Sequence, residues 1–233
     1  MAFPFTLLPT ELALEIIRVA SLPSYEDATA PRPSYATAVS MASVSHAMRG
    51  AAMPHLLHSV VLASSPQVLS FIDSILLQRQ LSASSSALAL DYPKLVRRFW
   101  STECWEPLIE DSPEYCIDYA ALYQVIRGVD ALGLNFRSLH LLYNSLESAG
   151  AAPALDWKCR HVILAGSLPR WRPLTSTAEG TIFLSCITHL TLWIPTINNR
   201  WLAPPPDGSR IPPYVTEIPF SLMLNLTHLA FPL

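Results

Sequence analysis

The sequence is poor in charged side chains, and that shortage already excludes several kinds of protein. Charged residues make up 14% of the chain and apolar residues 51%, whereas about a quarter of an ordinary globular sequence is charged. Such a composition excludes a disordered chain of the highly charged type and predicts a large hydrophobic core. The net charge of −3 gives no field that attracts nucleic acid, so we expect no nucleic-acid partner.

Glycine is also scarce, with 7 in the chain, and the motifs that need it are missing. No Gly-x-Gly, P-loop or Gly-x-Ser-x-Gly pattern occurs, which excludes the common phosphate-binding loops and the nucleophile elbow. His55 and His58 stand at a spacing that suits a metal on a helix, but the sequence places no third ligand near them. We therefore expect no enzyme activity, no cofactor and no metal site. A deep pocket lined by polar groups would reopen the enzyme interpretation.

Long apolar runs and paired cysteines are missing as well. No run of about 18 apolar residues occurs, so no membrane span and no membrane partner are expected. Residues 1–6 lack the basic start of a signal peptide. The cysteines, Cys104, Cys116, Cys159 and Cys186, form no Cys-x-x-Cys pair. Zinc sites and disulfide frameworks usually have paired spacing, so we interpret these residues as reduced thiols and predict a cytoplasmic or nuclear location.

What the sequence does contain is an amphipathic segment near its amino end. Pro9, which lacks an N–H, suits the first turn of a helix, and Glu11 suits the positive end of the helix dipole. Leu12, Ile16 and Val19 follow at i, i+4 and i+7, which predicts one apolar stripe. The apolar surface is extended to the neighbouring side by Leu8, Ala13, Ile17 and Ala20. A short helix that is apolar on two sides needs a partner, or a larger body, on the second side.

Two further motifs follow this helix. Residues 8–12 read LPTEL, residues 44–49 read VSHAMR, and residues 54–62 read PHLLHSVVL. In that order, with Ile16 and Ile17 in the first helix, these pieces resemble the F-box, a three-helix adaptor-binding module.

The resemblance defines a first domain at residues 1–62. Two features depart from the family pattern. Met48 stands where the family often has Trp, and residues 22–34 form a Pro-containing insertion between the first and second helices. Short F-box proteins of fungi tolerate such insertions, so the resemblance remains our leading interpretation of this domain.

The F-box resemblance implies a non-catalytic role in an E3 ubiquitin ligase. Proteins of this family are substrate receptors that dock on a Skp-type adaptor, which connects them to a cullin, and they hold a target protein for ubiquitin-dependent degradation. The residues that the resemblance implies for adaptor binding are Leu8, Pro9, Leu12, Ile16, Ile17, Val44, Leu56 and Leu57. An alternative role for Leu56 and Leu57 is internal packing of the helical unit.

Residues 63–233 are predicted to form a second domain of the mixed α/β class. Apolar residues at helical spacing predict helices over residues 66–80 and 117–128, and residues 81–87 are interpreted as a linker. A short strand-like unit then recurs, with the pattern x-His-Φ-x-Φ, where Φ is apolar. Its copies are residues 160–164, 188–192 and 227–231, with looser copies at 138–142 and 96–100.

A half-buried strand alternates its side chains, so this unit predicts which residues face the core. Leu190 and Leu192 should point inward, while His189, Thr191 and Trp193 point outward. The same register places inward the residues Val162, Leu164, Leu229 and Phe231. If the strands align, His161, His189 and His228 project from one edge of a sheet. They then form either a pH-sensitive contact ladder on a binding face or, as we favour, strand starts that satisfy loop carbonyls.

The recurring strands and helical returns indicate an irregular solenoid of short parallel strands. This region resembles a degenerate leucine-rich-repeat array, although no Leu-x-x-Leu-x-Leu-x-x-Asn motif is intact. The alternative is a single irregular α/β domain. Because the chain stops just after the last unit, we expect no C-terminal cap, so that the last strand is closed by a partner or belongs to a truncated repeat.

A rival function follows from the same helices. The chain could be a stand-alone repeat scaffold for protein interactions, with no ligase link, in which Leu12, Ile16 and Ile17 pack on its own repeats. Solvent exposure of the first helix separates the two, because an exposed stripe favours adaptor docking and burial on both sides favours the scaffold.

Overall fold

The structure is a computed structural model that describes residues 8–22, 34–106, 117–149, 157–167, 169–194 and 213–231. Within these ranges the chain is mixed α/β, as predicted, with nine α-helices and one six-stranded sheet. The helices are α1 (Thr10–Ala20), α2 (Ala36–Ala42), α3 (His46–His58), α4 (Ser65–Ala83), α5 (Tyr92–Leu95), α6 (Tyr119–Ile126), α7 (Leu139–Glu147), α8 (Arg172–Thr175) and α9 (Ala178–Cys186). The strands are β1 (Ser59–Leu62), β2 (Arg98–Ser101), β3 (Ala131–Asn135), β4 (His161–Ala165), β5 (His189–Trp193) and β6 (His228–Ala230).

The sheet is parallel throughout, and its strands neighbour one another in chain order from β1 to β6. The strand starts stand side by side in one row: Ser59, Arg98, Ala131, His161, His189 and His228. A repeated hydrogen-bond pattern fixes this register. The N–H groups of Thr188 and His189 both donate to the carbonyl of Arg160, at 2.9 and 3.0 Å, and those of Thr227 and His228 donate likewise to Thr188.

Side-chain alternation explains why these short segments become strands. In β4, Val162 and Leu164 are buried, and in β5, Leu190 and Leu192 are buried, as the predicted alternation requires. Leu229 in β6 is only half-buried, because β6 has a strand partner on one side alone within the described residues. The core therefore lies on one face of the sheet, which we call the inner face.

Helices cover the inner face. The longest of them, α4, contributes Val68, Phe71, Ile72 and Ile75 to the core, and α6 contributes Leu122 and Ile126. Burying one such side chain stabilises the fold by roughly 1.5–3 kcal/mol. The opposite, outer face presents the alternate residues of each strand, among them Trp100, Ile163 and Trp193. The inner face of the sheet is thus covered by helices of the same chain, and the outer face is open to solvent.

The prediction of a strand at residues 138–142 is wrong. This segment enters α7 after a 3-10 turn at Phe136–Ser138, and the strand lies earlier, as β3. The apolar spacing of Leu139, Leu142 and Leu146 suits a helix that covers the sheet. The strand signal at β3 is weak because Gly133 stands at its centre, and glycine disfavours strands.

Two other predicted elements differ only at their bounds. The helix predicted over residues 66–80 extends from Ser65 to Ala83, three residues into the predicted linker. The looser unit at 96–100 corresponds to β2, which begins at Arg98. Residues 1–6, residues 23–33 of the predicted insertion, and Cys116 lie outside the described residues.

The amino-terminal helices are continuous with the sheet. Helix α1 contacts α2 and α3, and α3 ends at His58, directly before β1. Met53 and Leu57 of α3 belong to the same hydrophobic core as the strands. The predicted first domain therefore contains the first strand of the sheet, which pairs with β2.

None of the described helices is both long enough and apolar enough to cross a bilayer.

Candidate interaction surfaces

Helix α1 presents an uncovered row of aliphatic side chains. It begins at Thr10 directly after Pro9, and it holds an exposed ion pair between Glu15 and Arg18 at 2.6 Å. Leu12 and Val19 are each 54% exposed and Ile16 is 45% exposed. These three residues, at i, i+4 and i+7, are the α1 stripe.

The structure separates the eight residues predicted for adaptor binding into three groups: exposed, half-buried and buried. Leu12, Ile16, Val44 and Pro9 are exposed, with Val44 at 71%. Leu8 and Leu56 are half-buried, and Leu56 packs against the core. The expectation that Ile17 and Leu57 bury against a partner is corrected, because they are 4% and 6% exposed within the chain itself.

The correction has a simple geometric cause. Ile17 follows Ile16 by one residue, which is about 100° around the helix. One of the two apolar sides of α1 therefore faces its neighbours α2 and α3, and the other faces solvent. Leu57 lies in α3, where internal packing was the alternative. Sequence reasoning missed Leu14 of α1 and Val39 of α2, which are also exposed.

A second surface lies at the amino-terminal edge of the sheet. The imidazole rings of His161 and His189 stack with centroids 4.2 Å apart and planes 7° apart, and those of His189 and His228 stack at 4.1 Å and 4°. We call these residues the histidine ladder. The alignment that the repeated unit predicted is therefore present, and three rings form one continuous polar strip.

Threonine hydroxyls hold two of these rings. Thr188 Oγ1 lies 2.9 Å from Nδ1 of His189 and donates to the carbonyl of Arg160 at 3.2 Å. Thr227 Oγ1 lies 2.8 Å from Nδ1 of His228 and donates to the carbonyl of Thr188 at 3.1 Å. For His189 and His228, the favoured expectation that each imidazole satisfies a loop carbonyl is corrected, because the threonines make those bonds.

The hydroxyl geometry sets the tautomer of each ring. A hydroxyl has one proton, so when Thr188 donates to a carbonyl, its oxygen accepts the Nδ1–H of His189. The neutral ring then keeps an unprotonated Nε2, which accepts a hydrogen bond, and protonation converts Nε2 into a donor. The same reasoning applies to His228 and Thr227.

Desolvation and the neighbouring rings disfavour protonation of His189 in the free chain. Loss of solvent contact lowers the pKa of His189, and the rings of His228 and His161 lower it further. Burial also lowers the pKa of His58, followed by the positive charge of Arg98. At the first strand a nearby guanidinium therefore acts in the same direction as burial.

The outer face beside the ladder is partly apolar. The indole of Trp100 lies across Gly133, where a Cβ would fall 1.6 Å from its Cε3 atom. Ile163 and Trp193 are also exposed on this face. At the other ends of the strands, the guanidinium of Arg137 stacks 4.5 Å from the ring centroid of Trp105.

The buried polar groups serve the fold. Glu179 accepts hydrogen bonds from the hydroxyl of Tyr123 and from Nε1 of Trp157, the latter at 2.5 Å. Burial, followed by its bond to Glu179, raises the pKa of Tyr123. His140 Nε2 lies 2.8 Å from the carbonyl of Cys104. Each of these groups is therefore hydrogen-bonded to another part of the chain.

No group of His, Cys, Asp and Glu residues in the described part of the chain is arranged to hold a metal ion. An open groove of about 370 Å³ is lined by apolar residues, among them Ile75 and Tyr92, and by the polar residues Gln78, Arg79, Ser82, Asp91 and Gln124. Two of these polar side chains are engaged within the chain. Gln78 Oε1 accepts from the N–H of Leu90 at 2.8 Å, and Asp91 pairs with Lys94 at 2.7 Å.

Comparison with known proteins finds no family model, no curated protein and no solved structure that matches the chain. The features that bear on function are therefore the α1 stripe, the outer face of the sheet and the sequence motifs that lead into them.

Proposed function

We propose that this protein is a substrate-receptor subunit of a Skp–cullin–F-box ubiquitin ligase. In this proposal the amino-terminal helices bind a Skp-type adaptor, which connects the chain to a cullin, and the sheet binds a target protein for ubiquitin-dependent degradation. The chain itself performs no chemistry. It raises the concentration of the target beside an active site on another subunit.

The observation that carries the proposal is the exposure of the α1 stripe. Aliphatic side chains on a surface helix normally face the core, yet Leu12, Ile16 and Val19 remain about half exposed. Covering each of them with a partner would stabilise a complex by roughly 1 kcal/mol. Val44, in the second F-box-like motif, adds a further exposed aliphatic side chain.

The junction between the helices and the sheet supports the same role. A receptor must hold its target at a set distance from the adaptor, and a flexible linker between the two binding parts would lose that positioning. Here α3 is followed by β1 without an intervening residue, and Met53 and Leu57 pack into the core of the sheet. The two proposed binding surfaces are thereby parts of one packed body.

The proposed target-binding part is an irregular leucine-rich-repeat-like solenoid. Six parallel strands in chain order, separated by helical or irregular returns, support this proposal. The open outer face of such a sheet is available to a partner.

The rival function, a stand-alone interaction scaffold, draws support from one residue. Ile17 packs within the chain, as that interpretation requires. Leu12 and Ile16, which the scaffold would also cover, are exposed. We therefore prefer the receptor, which accounts for both sides of α1.

The test is adaptor binding by a variant with a charged α1 stripe. We expect Leu12→Asp with Ile16→Asp to weaken binding to a purified Skp-type adaptor at least about tenfold, because two apolar contacts are lost and two carboxylates are buried. Binding is measured by co-purification and by calorimetry. Circular dichroism should be unchanged, since both side chains are exposed in the free chain.

The matched control is Leu77→Asp, which charges an equally exposed leucine, at 50%, on α4. It should leave adaptor binding intact. A second variant, Leu8→Ala with Pro9→Ala, tests the start of the same motif and should also abolish co-purification. Wild-type affinity in the α1 variant, or an equal loss in the control, would refute adaptor docking through α1.

A further inference from the structure

The amino-terminal edge of the sheet collects positive charge in a chain that is negative overall. We define this edge as the first residue of each strand and the residue before it. Its charged members are Arg97, Arg98, Asp130 and Arg160, and its histidines are His58, His161, His189 and His228. The chain carries a net charge of −3, so the sign of the edge is locally reversed.

The lone acidic residue of this edge does not cancel its charge. Asp130 Oδ1 lies 4.0 Å from NH1 of Arg97. The guanidinium groups of Arg98 and Arg160 have no second carboxylate on this edge. Arg160 is anchored through carbonyls, donating from its NH1 atom to Trp157 at 3.2 Å and to Cys186 at 3.1 Å. Arg98 is exposed in the first row of the sheet. Arg98 and the three ladder histidines thus share the first row of the sheet, Arg160 directly precedes His161, and the edge holds a single carboxylate.

The histidine ladder adds ring nitrogens that accept hydrogen bonds when neutral and donate them when protonated. Nδ1 of His189 and Nδ1 of His228 are held by threonine hydroxyls, so the opposite nitrogen, Nε2, is left to an outside partner. Neighbouring strands lie about 4.8 Å apart, so the row from β2 to β6 is about 19 Å long, the length of about six residues of extended chain. A row of this length and sign fits a short anionic polypeptide.

We propose that this edge binds an acidic segment of a partner protein, laid across the strands from Arg98 to His228. Carboxylates of the segment accept hydrogen bonds from Nε2 of the protonated ladder rings and pair with Arg98 and Arg160. This inference rests on the target-binding half of the proposed function, for which it names the chemistry of the target segment. The apolar residues of the bound segment lie against Ile163 and Trp100, which stand two residues after the strand starts on the same face of the sheet.

The charge count favours a polypeptide over a nucleic acid. A phosphate backbone is held by many Lys and Arg contacts, and the edge offers few fixed cations. An acidic segment needs fewer charges and also uses the apolar row beside the ladder. The protein's net charge of −3 would repel a long polyanion as a whole.

Binding should strengthen as the pH falls. In the free chain, the stacked rings repel one another's charge, and the pKa of His189 is lowered. A bound carboxylate stabilises the protonated ring, so the pKa is higher in the complex than in the free chain, and proton uptake accompanies binding. Two charged residues adjoin the start of the ladder: Arg160, directly before His161, and Asp130, whose carbonyl accepts from the N–H groups of Arg160 and His161. Burial raises the pKa of the Cys159 thiol to about 12, which keeps it neutral.

The direct test uses a fluorescein-labelled decapeptide of alternating Glu and Gly, with a Gln–Gly decapeptide as the neutral probe. Fluorescence anisotropy with the full chain should give affinity for the Glu–Gly probe that is at least about tenfold tighter at pH about 6 than at pH about 8. The Gln–Gly probe should bind at neither pH. An equal affinity for the acidic probe at both pH values would overturn the role of the ladder.

Variants separate the contribution of the histidine ladder to peptide binding from that of the fixed positive charges. Replacing His161, His189 and His228 together by Asn should remove the pH dependence, and Arg98→Ala should weaken binding about threefold or more at both pH values. The matched control is His46→Asn, which removes an exposed histidine at the start of α3 and should change nothing. If the triple variant does not fold, Arg98→Ala and the wild-type pH profile still decide the question.

Two further measurements fix the interpretation. Titration of the histidine ring protons by NMR should show the pKa of His189 rising when the Glu–Gly probe is added, whereas an unchanged value would refute the contact. A single-stranded oligonucleotide is the competing probe, and tighter binding of it, lost in the same variants, would replace the acidic segment by nucleic acid. Because these assays contain no adaptor, loss of adaptor binding and loss of peptide binding are separate outcomes.

Discussion

The first helix and the central strands carry the same kinds of apolar side chain but bury them to different extents. Ile16 of α1 is about half exposed, whereas Val162 and Leu190 of the sheet are almost completely covered. The strands obtain their cover from helices of the same chain, but α1 is covered on one side only. The comparison teaches that the inner face of the sheet is covered within the chain, whereas α1 has a second side left for another molecule.

The sharpest way to test this difference is one substitution made in both regions. Leu164→Ala removes a buried side chain of β4 and should lower the free energy of unfolding by about 3 kcal/mol, through lost contacts and a cavity. Leu12→Ala removes an exposed side chain of α1 and should change it by less than about 0.5 kcal/mol. Urea denaturation followed by circular dichroism measures both. Equal losses would mean that the α1 stripe is covered within the chain.

A substitution on the outer face of the sheet should lower the free energy of unfolding by an amount between those two values. Gly133→Ala places a methyl group against the indole of Trp100 and should destabilise the protein by about 1–3 kcal/mol. The double variant with Trp100→Ala removes the obstruction. It should be no less stable than Trp100→Ala alone, as thermal denaturation can show. A full penalty for Gly133→Ala in both backgrounds would contradict the packing of Trp100 on Gly133.

The smallest expected effect is on the pH dependence of stability, to which the core around the sheet should contribute and α1 should not. His140 of α7 is buried, which lowers its pKa, and its bond to the carbonyl of Cys104 opposes this only in part. The unfolded chain therefore takes up a proton first as the pH falls below about 6.5. Stability contributed by neutral His140 is complete above that pH and is lost as the pH falls toward the lower folded-state value.

The measurement is the unfolding midpoint at pH about 7.5 and about 5.5. The wild-type midpoint should fall more than that of His140→Gln, because the variant cannot take up the proton. Helix α1 contains no histidine, so the α1 variants should keep the wild-type pH dependence. An identical fall of the unfolding midpoint in the wild type and in His140→Gln would contradict this role of His140.

The parts of the fold that the sequence predicts are those with a repeated local signal. The His-Φ-x-Φ unit predicts β4, β5 and β6 because alternation places two apolar residues on one face. It fails at β3, where Gly133 weakens the pattern, and at α7, where a leucine-rich run fits both strand and helix. Packing decides between the two, and packing is not visible in a local pattern.

The candidate surfaces follow the same rule. Periodicity predicts the α1 stripe, but it cannot say which apolar side of α1 is covered, because that depends on where α3 lies. The shared position of the histidines predicts that they align. The contacts of Thr188 and Thr227 were missed, although the sequence holds their signal, a threonine directly before each of the two histidines.

Sheet order that repeats chain order has a consequence for how this molecule forms and varies. Each strand pairs with the next strand along the chain, so paired residues are 28 to 39 positions apart and no pairing spans the whole sequence. The entropy cost of closing such loops rises only slowly with their length. Folding can begin at any adjacent pair of strands and spread in both directions. Duplication or loss of one strand-and-return unit would lengthen or shorten the sheet without rearranging the rest, so the extent of its outer face can change during evolution one unit at a time.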